Sequence, residues 1–147
     1  MKVLDTREYV SIMKEKVMNG EEACILIAGN SMSPFLVHER DYICFSHPKR
    51  EVKKGDMVFY ERENGQYVMH RIYKVTSEGY YMAGDSQMEI EGPIRREQIF
   101  ALVTKVRRKG KWLESGDFWW EFFEKVWINI VPARRIVRKA YAYIFAK

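Results

Sequence analysis

Two residues of this chain have the types and surroundings that peptide-bond chemistry needs, Ser31 and His70. Ser31 follows an apolar run at residues 23–28 that predicts a buried strand, and Gly29 can turn the backbone sharply after it. A serine hydroxyl is a weak nucleophile until a base removes its proton, so Ser31 needs a partner. His70 is the best candidate, because an imidazole with a pKa of about 6.5 is largely neutral near pH 7.

Four short motifs, in this order, resemble the conserved boxes of signal peptidase I over roughly residues 23–107. They are Ser-Met-x-Pro at 31–34, Lys-Gly-Asp-Met-Val-Phe at 54–59, His-Arg-Ile at 70–72 and Gly-Asp at 84–85. The Gly-x-Ser-Met form at 29–32 is also similar to the LexA-type self-cleaving proteins. The resemblance therefore implies a serine peptidase of the signal peptidase/LexA clan. Most bacterial members have a lysine where this chain has His70, which implies the Ser-His variant of the endoplasmic-reticulum, archaeal and sporulation-type enzymes.

The resemblance also implies a third group that orients His70, and Asp85 is the first choice. The His-type enzymes carry further aspartates shortly after the Gly-Asp box, whereas this chain has Glu89 and Glu91. Either glutamate is an alternative orienting carboxylate.

The oxyanion formed at the attacked carbonyl is expected to meet the backbone amide of Ser31 and a second donor. Many signal peptidases supply that donor from a serine two positions earlier, where this chain has Gly29. Asn30 or another backbone amide would replace it, and Met32 completes the immediate surroundings of the nucleophile.

Other polar residues in these motifs have simpler predicted roles. Arg71 lies on the opposite face of a strand from His70, so it is predicted to be structural. Asp56 is predicted to make a turn hydrogen bond. The remaining serines and histidines in loop-like stretches are predicted to be turn, capping or surface residues: Ser33, Ser86, His38 and His47.

Composition favours one domain with an appendage. The chain has 147 residues, of which 47% are hydrophobic, enough for a single core. Its net charge of +5 is uneven, because 11 basic and 4 acidic residues follow position 104, against 14 and 16 before it. We predict a β domain at 1–113 and a basic amphipathic tail at 114–147.

The two cysteines, Cys24 and Cys44, each lie in an apolar run that predicts a strand. Two thiols make no disulfide framework, and their spacing suggests no metal site. They are therefore predicted to be free cysteines in the core, and neither a metal nor another cofactor is expected.

The fold class predicted is mainly β, a coiled antiparallel sheet with an N-terminal helix and C-terminal amphipathic helices. A helical stripe covers residues 6–19 before Gly20. Short strands follow at 23–28, 41–46, 57–60, 66–75, 80–83 and 99–106. Asn64-Gly65 predicts a hairpin that carries His70.

The tail changes to helical spacing, with one stripe over residues 118–130 and, after Pro132, a second over 136–145. Charges interrupt both stripes too often for a membrane span. A wide aromatic face opposite a basic face is typical of attachment to an anionic membrane surface. The alternative is that the stripes cover the β core or a partner subunit.

The function favoured is a serine endopeptidase that cuts a signal or leader peptide from a precursor bound as an added strand. The N-terminus lacks the apolar stretch of a secretory signal or anchor, which predicts a cytoplasmic location, free or peripheral at the membrane. A non-catalytic peptide- or membrane-binding module on the same fold is the alternative. Nucleic acid is not expected as a partner, because the basic cluster around Trp112 comes with no recognition motif.

Overall fold

The computed structural model describes residues 6–27, 29, 32, 34–85 and 90–130. They form an N-terminal helix, eight strands in one antiparallel sheet, and a helical segment after the last strand. The mainly β fold class expected from the sequence is therefore confirmed.

The elements follow the predicted order. Helix α1 is Thr6–Met18, and the chain turns after it at Gly20, where φ is +86°. The strands are β1 Ala23–Leu26, β2 Tyr42–Ser46, β3 Met57–Glu61, β4 Tyr67–Thr76, β5 Gly79–Ala83, β6 Glu91–Ile94, β7 Ile99–Arg108 and β8 Lys111–Glu114. Strands β6 and β8 were not among the predicted strands.

Strand pairing places β4 between β3 and β5. The sheet order is β1-β2-β7-β3-β4-β5-β6, and β8 pairs with β7. The Asn64-Gly65 turn joins β3 and β4 as predicted, and the register sets Val58 opposite His70. His70 is therefore held inside the sheet.

The two larger apolar cores of the described residues lie on the two faces of this sheet. In β3, Met57 and Phe59 belong to the main core, whereas Val58 and Tyr60 belong to the second core. Side chains alternate between faces along a strand, which is why one short strand contributes to both cores.

The C-terminal helical segment, residues 118–130, packs onto the main core. It consists of the α-helix Phe118–Glu121 (α2), the π-helix Phe122–Val126 and the 3-10 helix Trp127–Ile130. Trp120 and Phe123 lie in the main core, with ring centroids 6.4 and 4.7 Å from that of Phe35. The structure therefore shows that the first stripe covers the β core, which was one of the expected alternatives. The second stripe lies outside the described residues.

Some large apolar side chains of this segment remain exposed. Phe118 is 72% exposed, and Trp119 and Val126 are about half exposed. In the part of the chain that the structure describes, no helix has the length and apolar character needed to cross a membrane.

The prediction for the cysteines was wrong. Cys24 and Cys44 form a disulfide, and Cys24 is exposed. The antiparallel pairing of β1 with β2 sets the two residues directly opposite each other, with Cα atoms 4.0 Å apart. The sequence predicts both strands but not that they are neighbours, so the two thiols were assigned separately to the core.

Candidate active site

Two residues close to the predicted nucleophile in the sequence, Gly29 and Met32, belong to the described part of the chain. Ser31, Asn30 and Ser33 lie outside the described residues. Before them, Gly29 has a φ of +90°, a conformation that L side chains rarely adopt. Met32, which directly follows Ser31, is buried in the main core, and its carbonyl accepts a 2.9 Å hydrogen bond from the amide of Leu36.

A second histidine touches this turn. The amide of Gly29 donates to Nδ1 of His38 at 2.7 Å, and Nε2 of His38 lies 3.2 Å from a carboxylate oxygen of Glu39. His38 is exposed, as predicted, but it also fixes the residue two positions before Ser31. Nothing in its local pattern indicated this contact, which depends on how the loop after β1 folds back.

The predicted base, His70, is buried near the middle of β4. It is 5% exposed and faces the second core, where Tyr60 is its polar neighbour. The Tyr60 hydroxyl and His70 Nδ1 are 3.2 Å apart. Desolvation by burial lowers the pKa of His70 to about 4, with the negative charge of Glu91 acting in the opposite direction. The imidazole is therefore neutral at physiological pH, the form that accepts a proton.

An ion pair lies near Tyr60 and His70, close enough for its charges to act on both side chains. Arg62 binds the Glu91 carboxylate through Nε (2.9 Å to Oε1) and Nη2 (2.6 Å to Oε2). Burial is the main cause that raises the pKa of the Tyr60 hydroxyl, and the negative charge of the nearby Glu91 raises it further. Arg62 and Glu91 line a pocket of about 310 Å³ beside Asn64. Glu89, the other candidate carboxylate, lies outside the described residues.

Asp85 forms a buried ion pair with Arg71. Its two carboxylate oxygens accept hydrogen bonds of 2.9 Å from Nε and Nη2 of Arg71, and both side chains are buried. Arg71 follows His70 in β4, so the two side chains leave the strand on opposite faces. Asp85 is therefore bound to Arg71, and its expected role in orienting His70 stays a prediction.

The Lys-Gly-Asp box and the C-terminal segment extend this buried pair. Arg71 Nη1 donates to the carbonyl of Gly55 at 2.8 Å, and Trp127 Nε1 donates to the carbonyl of Asp85 at 2.8 Å. Asp56 accepts the amide of Lys53 at 2.8 Å, the turn hydrogen bond that was predicted, and also binds Arg50. Arg71 and Asp56 thus have the structural roles expected of them.

Phe35 contacts β4 through Arg71. The guanidinium carbon of Arg71 lies 5.5 Å from the centroid of the Phe35 ring. Phe35 comes four residues after Ser31, and Arg71 comes directly after His70. This contact joins the segment that follows the predicted nucleophile to the strand that carries the predicted base.

Among the described residues, one group of side chains has the donor set for a metal ion: Glu22, Cys24 and Cys44. A metal binds cysteine as thiolate, and the two sulfurs are joined here in a disulfide. In this oxidised state the three residues therefore do not fit a metal centre.

Sequence reasoning missed Tyr60 as a neighbour of the base. The hairpin register could have found it, because Val58 pairs with His70 and Tyr60 lies two residues further along the same face of β3. Arg62 gave no such signal, since it meets Glu91 across strands that are distant in the sequence.

A family model described as peptidase S24-like matches residues 2–104 of the chain. This span contains the serine turn, β4 with His70, and Asp85. Neither the curated proteins nor the solved structures provide a significant match.

Proposed function

Because the chain belongs to the peptidase S24-like family, we propose that it is a serine endopeptidase in which Ser31 is the nucleophile and His70 the general base. The observation that carries this proposal is the buried, neutral His70 on β4, within the span that matches the family. A neutral imidazole can remove the serine proton without first losing one to solvent.

In the proposed reaction, Ser31 Oγ bonds to the carbonyl carbon of the scissile peptide while its proton passes to Nε2 of His70. The carbon–nitrogen bond then breaks, and His70 returns that proton to the leaving amine. Water, deprotonated by His70, attacks the acyl-enzyme, and the ester bond to Oγ breaks as Ser31 regains a proton.

The backbone amide of Ser31 is proposed as one oxyanion donor. The amide of Gly29 already donates to His38, so it is engaged elsewhere. The amide or side chain of Asn30 remains the candidate for the second donor.

The substrate proposed is the signal or leader segment of a precursor, bound in extended form. Among the described strands, β1 lies at one end of the sheet and leads into the serine turn. A peptide added along that edge would pass the nucleophile, with its backbone paired and its alternate side chains facing the protein. By the family resemblance, small residues are expected before the cut.

The experiment is cleavage of a peptide library, read by mass spectrometry, with wild type, Ser31→Ala and His70→Ala. His47→Ala is the matched control, because His47 is an exposed histidine outside the proposed site. The proposal expects cuts that vanish in the first two variants and persist in the control. Equal turnover in His70→Ala would reject the base assignment.

A non-catalytic binding module on the same fold is the second candidate. It is favoured by the setting of His70, which is buried and hydrogen-bonded as a structural core histidine would be. Binding of a peptide by wild type and Ser31→Ala with equal affinity, without cleavage by either, would support this candidate.

An anionic membrane surface is proposed as a further partner. Phe118, Trp119 and Val126 remain exposed on the C-terminal segment, and residues 131–147 carry five basic and no acidic residues. Co-sedimentation with anionic but not with zwitterionic vesicles is the expected result, and equal partitioning with both would remove the electrostatic part of this proposal.

The cytoplasmic location expected from the sequence stays a prediction, and the Cys24–Cys44 disulfide conflicts with it. Disulfides persist mainly in oxidising compartments. Alkylation of protein from intact cells, followed by mass spectrometry, measures whether the pair is reduced, as the cytoplasm requires, or oxidised.

A further inference from the structure

The Cys24–Cys44 disulfide closes a loop of the chain that contains the proposed nucleophile. The two cysteines are 20 positions apart, and the Gly-x-Ser-Met motif at 29–32 lies between them. The bond joins β1, which precedes Ser31, to β2, which follows it. A covalent bond at the base of a loop restricts the conformations open to the residues inside it.

The side of this loop that follows Ser31 is held by other contacts. Phe35 is fully buried in the main core, and its carbonyl accepts a 2.7 Å hydrogen bond from Nε of Arg108. The buried carboxylate of Asp41 accepts a 2.8 Å hydrogen bond from the amide of Val37. These contacts fix this side of the loop without the disulfide.

The side of the loop that precedes Ser31 depends on β1. Among the described strands, β1 lies at one end of the sheet and pairs with β2 alone. It is four residues long, and two of them, Cys24 and Leu26, are exposed. Ile27 continues the pairing, since its amide donates to the carbonyl of Asp41 at 2.8 Å. The disulfide thus adds a covalent tie to a short strand with a single neighbour in the described sheet.

The bond is exposed to solvent at Cys24 and buried at Cys44. A thiolate that approaches from solvent therefore attacks Sγ of Cys24, and Cys44 is the leaving group. An oxygen of the Glu22 carboxylate lies 3.9 Å from Sγ of Cys24, and Nζ of Lys105 lies 3.6 Å from that oxygen. The Lys105 ammonium offsets the negative charge that would repel the incoming thiolate.

We propose that the Cys24–Cys44 bond is a site of reversible thiol–disulfide exchange with a dithiol, and that its reduction loosens β1 and the backbone leading to Ser31. A thiolate of the dithiol bonds to Sγ of Cys24, the S–S bond breaks, and Cys44 leaves as a thiolate that takes up a proton. The second thiolate of the dithiol then displaces Cys24, which is protonated in turn. Two electrons and two protons pass to the cysteines, and the dithiol becomes a disulfide.

The consequence for cleavage rests on the proposed function. Strand β1 is the edge along which the proposed substrate is added, and it leads into the turn with Ser31. A loosened β1 weakens the pairing with the substrate and the positioning of the nucleophile. The oxidised chain is therefore the active form, and reduction lowers its activity.

The test is hydrogen exchange of the full-length protein, either oxidised or treated with dithiothreitol without denaturant. Alkylation and mass spectrometry count the free thiols in the same samples. Reduction is expected to free both thiols and to speed exchange at residues 23–27 by about tenfold or more, because local opening no longer has to stretch a closed loop. Residues 99–106 of β7 are expected to stay within about twofold, since the rest of the sheet keeps its pairing.

The matched control is the double variant Cys24→Ser/Cys44→Ser. It is expected to exchange like the reduced wild type and to be unaffected by dithiothreitol. In the cleavage assay, dithiothreitol is expected to lower kcat/KM of wild type by about tenfold, and reoxidation to restore it. The control is expected to stay at the lowered value throughout.

Three results would overturn the inference. They are a bond that dithiothreitol reduces only where denaturant unfolds the protein, a reduced protein whose β1 exchanges as slowly as before, and a reduced protein in which β7 loses its protection too. None of these measurements needs turnover. A chain that cuts no peptide but loosens β1 on reduction refutes the proposed function alone. A chain that cuts peptides with equal kcat/KM in both states refutes this inference alone.

Discussion

The neutrality of His70 is a property of its burial more than of any single partner. Desolvation penalises the imidazolium and lowers the pKa to about 4, and the nearby carboxylate of Glu91 only partly opposes this. The folded protein therefore keeps its proposed base in the proton-accepting form at pH values where a solvated histidine would be charged.

This shift makes stability depend on pH. Between pH 6.5 and about 4, His70 is protonated in the unfolded chain but not in the folded one, so acid favours unfolding. The full contribution is present above pH 6.5 and falls by up to about 3 kcal/mol as the pH approaches 4. Urea unfolding at several pH values checks this, and His70→Gln should flatten the curve. A His70→Gln protein that loses as much stability in acid as wild type would contradict this prediction. His47→Gln is the control, because His47 is exposed.

The Arg71–Asp85 pair is predicted to hold the fold together. Removing one partner deprives the other buried charge of this ion pair, so Arg71→Met and Asp85→Asn should each destabilise by about 3–5 kcal/mol. Urea unfolding measures the loss. Arg95→Met is the control, since Arg95 pairs with Glu63 in solvent and its removal should change little. If Arg71→Met lowered the free energy of unfolding no more than Arg95→Met does, the buried Arg71–Asp85 pair would not be structural.

At the scale of elements, local patterns predicted most strands and the hairpin that carries His70. Period-two alternation and the Asn-Gly turn are local signals, and both depend on backbone geometry alone. Strand β6 was missed because Gly92 and Pro93 are unusual within strands, and β8 is only four residues long. The disulfide was missed because strand pairing is a property of the whole sheet.

Gly55 is predicted to control how the C-terminal segment docks. Its φ is +95°, and a Cβ there would lie 2.6 Å from Cγ and 2.7 Å from the carbonyl oxygen of Glu124. Gly55→Ala should therefore destabilise by more than the roughly 1–2 kcal/mol of the left-handed conformation alone. Increased hydrogen exchange in residues 118–130 would report the undocking.

Gly110→Ala separates the two effects. Gly110 has a similar φ of +80°, but a Cβ there meets nothing within 4 Å. Gly110→Ala should therefore lose only the roughly 1–2 kcal/mol of the left-handed conformation. The amides of residues 118–130 should stay as protected from hydrogen exchange as in wild type. If both variants behaved alike, the close approach of Glu124 would not matter for docking.

At the scale of the whole molecule, the motifs that indicated the family divide into two roles. Arg71, Asp85 and Gly55 form one buried network with Trp127, and this network joins β4, the turn before β3 and the C-terminal segment. His70 stands on the other face of β4 with Tyr60. A resemblance between short motifs identifies the residues but does not show on which face of the sheet each side chain lies. Asp85 was therefore expected beside His70.

The predicted domain boundary between residues 113 and 114 stays a prediction. The described part of the tail packs against the β domain. Trp120 and Phe123 enter the main core beside Phe35, and Ile128 packs with Ala83. The sequence showed the helical stripe but could not choose between lipid and protein as its cover, since both accept the same apolar face.

The central claim is that Ser31 and His70 cut peptides, and the most direct test is the pH dependence of library cleavage. Wild type, Ser31→Ala, His70→Ala and His47→Ala are compared from pH 3.5 to 8. We predict cuts that require both Ser31 and His70, with kcat/KM rising through the His70 pKa of about 4 to a plateau near neutral pH. Cuts that persist in Ser31→Ala, or no cut by wild type at any pH, would contradict the claim.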